Sequence, residues 1–182
     1  EIFYDAAQKQ FMIFWASTIP GRFPAADKTG DDGYNHRIYF TVTSDVERLE
    51  LARLLYEPSF NVIDATIVQD GKRFLMFLKD ETRHPPAKNL RLATAEAPSG
   101  PYSPPSAPIT GKYWAEGPTA IKLGDKWFVY FDRYTEHRYG LVTSKDLVHW
   151  DEESDKVRFP ADHRHGSVLR VSREVWKGLI GP

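Results

Sequence analysis

The feature that most constrains what this chain can become is an internal repeat. Residues 2–15 (IFYDAAQKQFMIFW), 65–78 (ATIVQDGKRFLMFL) and 118–131 (PTAIKLGDKWFVYF) follow one plan: a short apolar strand, a polar turn, then an aromatic-rich strand. Phe11, Phe74 and Trp127 are equivalent positions, 63 and 53 residues apart. Asp70-Gly71 and Gly124-Asp125 carry the residues that close tight antiparallel hairpins, because such turns need positive φ. A third strand follows each hairpin, at 38–44 (IYFTVTS), 90–95 (LRLATA) and 139–144 (YGLVTS), and a turn then leads to a fourth edge segment. Four antiparallel strands in roughly fifty residues make one propeller blade. The units run over about residues 1–63, 64–115 and 116–164. A fourth begins at His165 (HGSVLRVS), with one or two helical turns expected over 172–180. Propellers close with four to eight blades. The rest of the ring is therefore expected from sequence not present here or from another chain. A β-sandwich built of the same hairpins is the alternative, but sandwiches rarely repeat a whole four-strand unit in register.

The 182 residues suit one domain, and 41% hydrophobic with 27% charged residues describe an ordinary folded chain. Twenty-four basic against twenty-five acidic residues, with no long Lys/Arg block, argue against nucleic acid as a partner. The longest apolar stretches are about half a membrane span, so no membrane partner is expected. Without cysteine there is no disulfide, thiolate metal site or cysteine nucleophile, and cytosol and periplasm fit equally well. Five Trp, nine Tyr and eleven Phe supply aromatic platforms of the kind that stack on sugar rings.

In a propeller the first strand of each blade lines the central channel, so groups at its start gather at one mouth. Ten residues before Phe11, Phe74 and Trp127 lie Glu1, Asp64 and Gly117, the last preceded by Glu116. Like charges raise one another's pKa, so three acids around an axis suggest acid/base work or cation binding. The alternative is that each caps a strand or pairs with an arginine. Burial beside groups such as Trp114 and Pro118 would keep a carboxyl protonated near neutral pH, which suits Glu116 to the role of general acid better than Asp64. Trp15 and Trp114 sit near channel-facing positions and could stack on a sugar, whereas Trp127 and Trp150 read as core. His163, Arg164 and His165 are adjacent, and neighbours on a strand point to opposite faces, which weakens a chelate. Asp31-Asp32-Gly33 has the composition of a calcium loop without the twelve-residue ligand spacing.

Asp64 in IDATIVQDGKRFLMF and Glu116 in AEGPTAIKLGDKWFVYF resemble the strand openings of glycoside hydrolase family 43. The opening EIFYDAAQKQFMIFW is similar to the strand that follows the family's Trp-Ala-Pro-Glu motif. The resemblance implies a five-bladed propeller, here about blades two to four and the start of the fifth, from an inverting glycosidase acting on α-L-arabinofuranosides or β-D-xylosides of plant-type polysaccharide. It implies Glu116 as general acid, Asp64 as the group that tunes its pKa, and Glu1 as an accessory residue at the substrate. The general base belongs to the first blade and is not found in this chain, so the chain alone should hydrolyse little. His165 in RHGSV resembles the family histidine near the axis, which supports a water-coordinated calcium or sodium ion; no cofactor is otherwise required. A secreted or periplasmic location follows from such a substrate. A non-catalytic carbohydrate-binding propeller, or another five-bladed glycosidase or phosphorylase, stands as the alternative.

Overall fold

A computed structural model describes residues 1–24, 34–160 and 163–181; Asp31-Asp32-Gly33 lies outside them. Among the described residues the chain is all-β apart from short helical turns and one C-terminal helix. A first sheet has the order β1 (Ile2–Asp5), β2 (Gln10–Ser17), β3 (Arg37–Thr43) and β4 (Arg53–Tyr56). A second runs β5 (Val62–Asp70), β6 (Arg73–Asp80) and β7 (Asn89–Ala95). A third runs β8 (Glu116–Leu123), β9 (Lys126–Arg133), β10 (Arg138–Ser144) and β11 (Asp151–Glu152). Every pairing is antiparallel between sequence neighbours, as a propeller blade requires. Gly71 and Gly124 close their hairpins at φ +63 each.

The central sheet shows why the repeat folds this way. All but the first residue of β6 are buried. Phe74, Met76 and Leu78 join a core with Met12, Phe14, Ile38 and Phe40 of the first sheet. The alternate residues Leu75 and Phe77 join a second core with Trp127, Val129 and Phe131 of the third. A strand covered on both faces needs a continuous apolar run instead of alternation, and RFLMFL is such a run. Trp127 is buried and Trp150 packs against the second core, as their positions suggested.

Three expectations are corrected. First, the second sheet has no fourth strand. Residues 103–110 run beside β7 instead: the Ser103, Ser106 and Ile109 amides donate to the Thr94, Leu92 and Leu90 carbonyls, while Pro104, Pro105 and Pro108, which carry no N–H, interrupt a regular ladder. Serine hydroxyls substitute for missing ladder groups: Ser106 Oγ accepts from the Leu92 amide at 3.0 Å and Ser103 Oγ from the Thr94 amide at 3.1 Å. Second, residues 165–172 form no strand. The segment is tied to β8 through side chains, with the Val168 amide donating to Thr119 Oγ1 at 3.1 Å. It leads into α1 (Arg173–Ile180), capped by Ser172 Oγ accepting from the Val175 amide. Third, Glu1 is not the register equivalent of Asp64. Tyr4 pairs with Phe11, as Gln69 pairs with Phe74 and Lys122 with Trp127. The turn after Asp5 is two residues longer than the other two, so Glu1 falls level with Thr66 and Thr119. Among the described residues no helix is long and apolar enough to cross a membrane.

Candidate active site

Two β-bulges build the site. In the second sheet Ile63 pairs with Lys79 and Thr66 with Phe77, so Asp64 and Ala65 together oppose Leu78. In the third, Glu116 pairs with Asp132 and Thr119 with Tyr130, so Gly117 and Pro118 together oppose Phe131. Asp64 and Gly117 are the first residues of these bulges and both are left-handed, at φ +50 and +56. A bulge bends its strand and re-aims the side chain beside it. The Gly117 amide donates to Asp64 Oδ2 at 3.0 Å, which ties the two bulges together across the boundary between sheets. His165, also left-handed at φ +46, lays its ring over Gly117; a Cβ on that glycine would meet Nδ1 at 2.8 Å. Non-glycine residues in this region are strained, and such strain clusters at functional sites.

Asp64, Glu116 and His165 place their ligand atoms within 4.8 Å of one another. Burial pushes the Asp64 carboxyl above the usual aspartate range, more than offsetting the Gly117 amide and the Lys79 charge. Glu116 behaves in the opposite sense. Burial alone would raise it, but hydrogen bonds from His165 and Lys79 outweigh burial and hold its carboxyl below the usual range. The expectation that apolar neighbours keep Glu116 protonated is therefore corrected for the free site. Its Oε2 accepts from Lys79 Nζ at 2.9 Å, and its Oε1 meets Arg164 Nη2 and His165 Nε2 at 3.0 Å each. Arg164 is in turn bonded to Asp132, which is fully buried.

Arg164 and His165 reach the same oxygen although they are adjacent, because the segment is not a strand and the left-handed His165 turns the chain. His163 points away and stacks on Phe159. Lys79 and Arg164 already pair with Glu116, so the trio makes a poor first shell for a metal ion.

Glu1, Trp15, Asp64, Gly117, Pro118 and His165 line one open cavity of about 230 Å³. Glu1 Oε2 accepts from Thr66 Oγ1 at 2.8 Å, and burial pushes its carboxyl up. Trp15 is about a third exposed there, available to a ligand. Trp114 does not line this cavity. It packs near Tyr134 at 5.9 Å and lines a separate cleft with Asn89, Pro108 and Tyr113. Sequence reasoning missed Lys79 and Asp132, and weighed Arg164 only as part of a chelate. A lysine ending the apolar run FLMFLK was the available signal, since a charge placed after a doubly buried strand needs a partner.

The sequence matches the model of a family described as "Probable glycosyl hydrolase domain", related to family 43, over residues 1–177. No curated protein matches significantly. Similar solved structures include a thermostable family-43 glycoside hydrolase, with TM-score 0.60 and 12% identity, covering 91% of this chain and 59% of that one. An α-L-arabinofuranosidase from Lactobacillus brevis gives 0.59 and 16%, covering 84% and 53%. Zg3597, a family 117 glycoside hydrolase of Zobellia galactanivorans, gives 0.58 and 12%, covering 80% and 52%. These likenesses establish the fold of the five-bladed propeller glycosidases, and the chain spans about half the length of these structures.

Proposed function

Because the chain belongs to this family of glycosyl hydrolase domains related to family 43, we propose that it carries the acid side of an inverting glycosidase site. The carrying observation is the pair of linked bulges, which brings Asp64 and Glu116 from neighbouring sheets to within 4.8 Å of one another and of His165, with Asp64 and His165 on the cavity wall and Glu116 behind Gly117. In this reading Glu116 Oε1 gives its proton to the glycosidic oxygen as the C–O bond breaks and the bonding pair leaves with that oxygen. Water attacks the anomeric carbon from the opposite face and gives its proton to a base outside this chain, the two carboxyl groups standing roughly 6.5–9.5 Å apart. The free site holds Glu116 ionised, so loading it requires Oε1 to be released. Arg164 and His165 are each about half exposed, and in this reading they move off Oε1 when substrate enters, Arg164 keeping its bond to Asp132 through Nε. Asp64 disfavours ionisation of its neighbour once Arg164 and His165 have moved off it, so the two carboxyls titrate as a pair.

An arabinofuranoside or xyloside of plant-type polysaccharide is the substrate class proposed, with Trp15 and Glu1 meeting the sugar and a secreted or periplasmic location. A calcium or sodium ion, held through water beside His165, would be structural, and no step passes through it. The cations around Glu116 favour a second reading, a carbohydrate-binding propeller without turnover. Proton NMR of the first product formed from aryl arabinofuranoside and aryl xyloside by the full-length protein tests the proposal. Release of sugar with inverted anomeric configuration supports it; binding without release supports the second reading.

A further inference from the structure

Lys79 is the last apolar-run neighbour of β6 and ends in the interior, only 2% exposed. Its ammonium spans the boundary between the second and third sheets, 2.6 Å from Glu81 Oε2 and 2.9 Å from Glu116 Oε2. The Tyr134 ring covers it at 4.6 Å. Glu81 is held from its other side by Lys88, which is equally buried. Lys88, Glu81, Lys79 and Glu116 thus alternate in charge from the sheet boundary to the cavity wall. The two oxygens of Glu116 are held unequally. Oε2 is bound by a lysine that has no room to leave, and Oε1 by Arg164 and His165, which are about half exposed. His165, which meets Oε1 at 3.0 Å, lines the cavity while Glu116 does not, so Oε1 is one residue removed from the cavity and is reached from it when His165 moves.

We infer that Lys79 is a positioning residue for the proposed proton donor: it anchors Glu116 through Oε2 and reserves Oε1 as the oxygen that meets the glycosidic oxygen. This inference rests on the proposed function. A buried ion pair serving only to join two sheets could be replaced by apolar side chains at little loss, whereas an anchor with a catalytic consequence cannot. Orientation of a donor acts on the transition state and leaves ground-state binding nearly untouched. It also matters most where the leaving oxygen needs a proton.

The experiment compares Lys79→Met and Lys79→Arg with the wild-type full-length protein on an alkyl or oligosaccharide glycoside and on a nitrophenyl glycoside, after melting curves confirm folding. For Lys79→Met, kcat on the poor leaving group should fall at least about tenfold, with KM within about twofold and a clearly smaller loss on the nitrophenyl substrate. Lys79→Arg, which keeps charge and donor, should recover part of the loss. Should Lys79→Met not fold, Lys79→Gln takes its place under the same criteria. Equal losses on both substrates, no loss, or a change in KM alone would overturn the positioning role while leaving the glycosidase reading intact. A wild-type protein without activity on either substrate would overturn both.

Discussion

Asp64 and Gly117 occupy the same place in two sheets, the left-handed first residue of a bulge at the head of the inner strand, and the amide of one is hydrogen-bonded to the carboxylate of the other at 3.0 Å. This offset is what makes the acids converge. Because Gly117 matches Asp64, Glu116 stands one residue earlier, and the ligand atoms of the two carboxyls and of His165 come within 4.8 Å of one another.

Gly117→Ala should be among the most damaging small substitutions in the chain. The left-handed backbone costs a residue with Cβ about 1–2 kcal/mol, and that Cβ would meet His165 Nδ1 at 2.8 Å. We expect a lower urea midpoint with an unchanged slope, because the His165 ring must move to admit the new Cβ. A midpoint equal to wild type would show that the bulge tolerates a side chain.

Asp64→Asn should stabilise the protein at neutral pH. The Asp64 carboxyl titrates above its ordinary value of 3.8 because burial disfavours its charge. The stability it contributes is complete below the unfolded pKa and is lost as pH rises through the folded one. Asparagine keeps an oxygen for the Gly117 amide, carries no charge and tolerates left-handed backbone. A gain on the order of 1 kcal/mol at pH 7, shrinking below pH ~4, is expected from thermal melts. A constant difference across that range would contradict the burial argument.

Ser106→Ala tests the proline-rich edge of the second sheet. Its hydroxyl accepts from the Leu92 amide at 3.0 Å, and removing it leaves a part-buried donor without its partner, at a loss of about 1 kcal/mol. Faster hydrogen exchange at Leu92 with protection retained in β6 would locate the effect; unchanged exchange at Leu92 would show that water replaces the hydroxyl.

The hairpins were legible because period, turn glycines and the doubly covered run RFLMFL all specify the same strands. The fourth segment of the second sheet was not, since Ser103 and Ser106 replace backbone groups with hydroxyls, a substitution that leaves no strand pattern. Asp64 and Glu116 were legible as acids before apolar strands. Their protonation was not, because Lys79, Arg164 and His165 arrive from 37 to 49 positions away in the chain and reverse what local apolar neighbours suggest for Glu116. Counting residues also misplaced Glu1, since spacing along the chain does not reveal a turn lengthened by two.

Proton donation by Glu116 is tested by the leaving-group dependence of Glu116→Gln in the full-length protein. On an alkyl or oligosaccharide glycoside, whose departing oxygen needs a proton, kcat should fall by about 10²–10⁴-fold, while a nitrophenyl glycoside should be cleaved within roughly tenfold of the wild-type rate. Equal losses on the two substrates would contradict proton donation by Glu116 and reduce the residue to a binding contact.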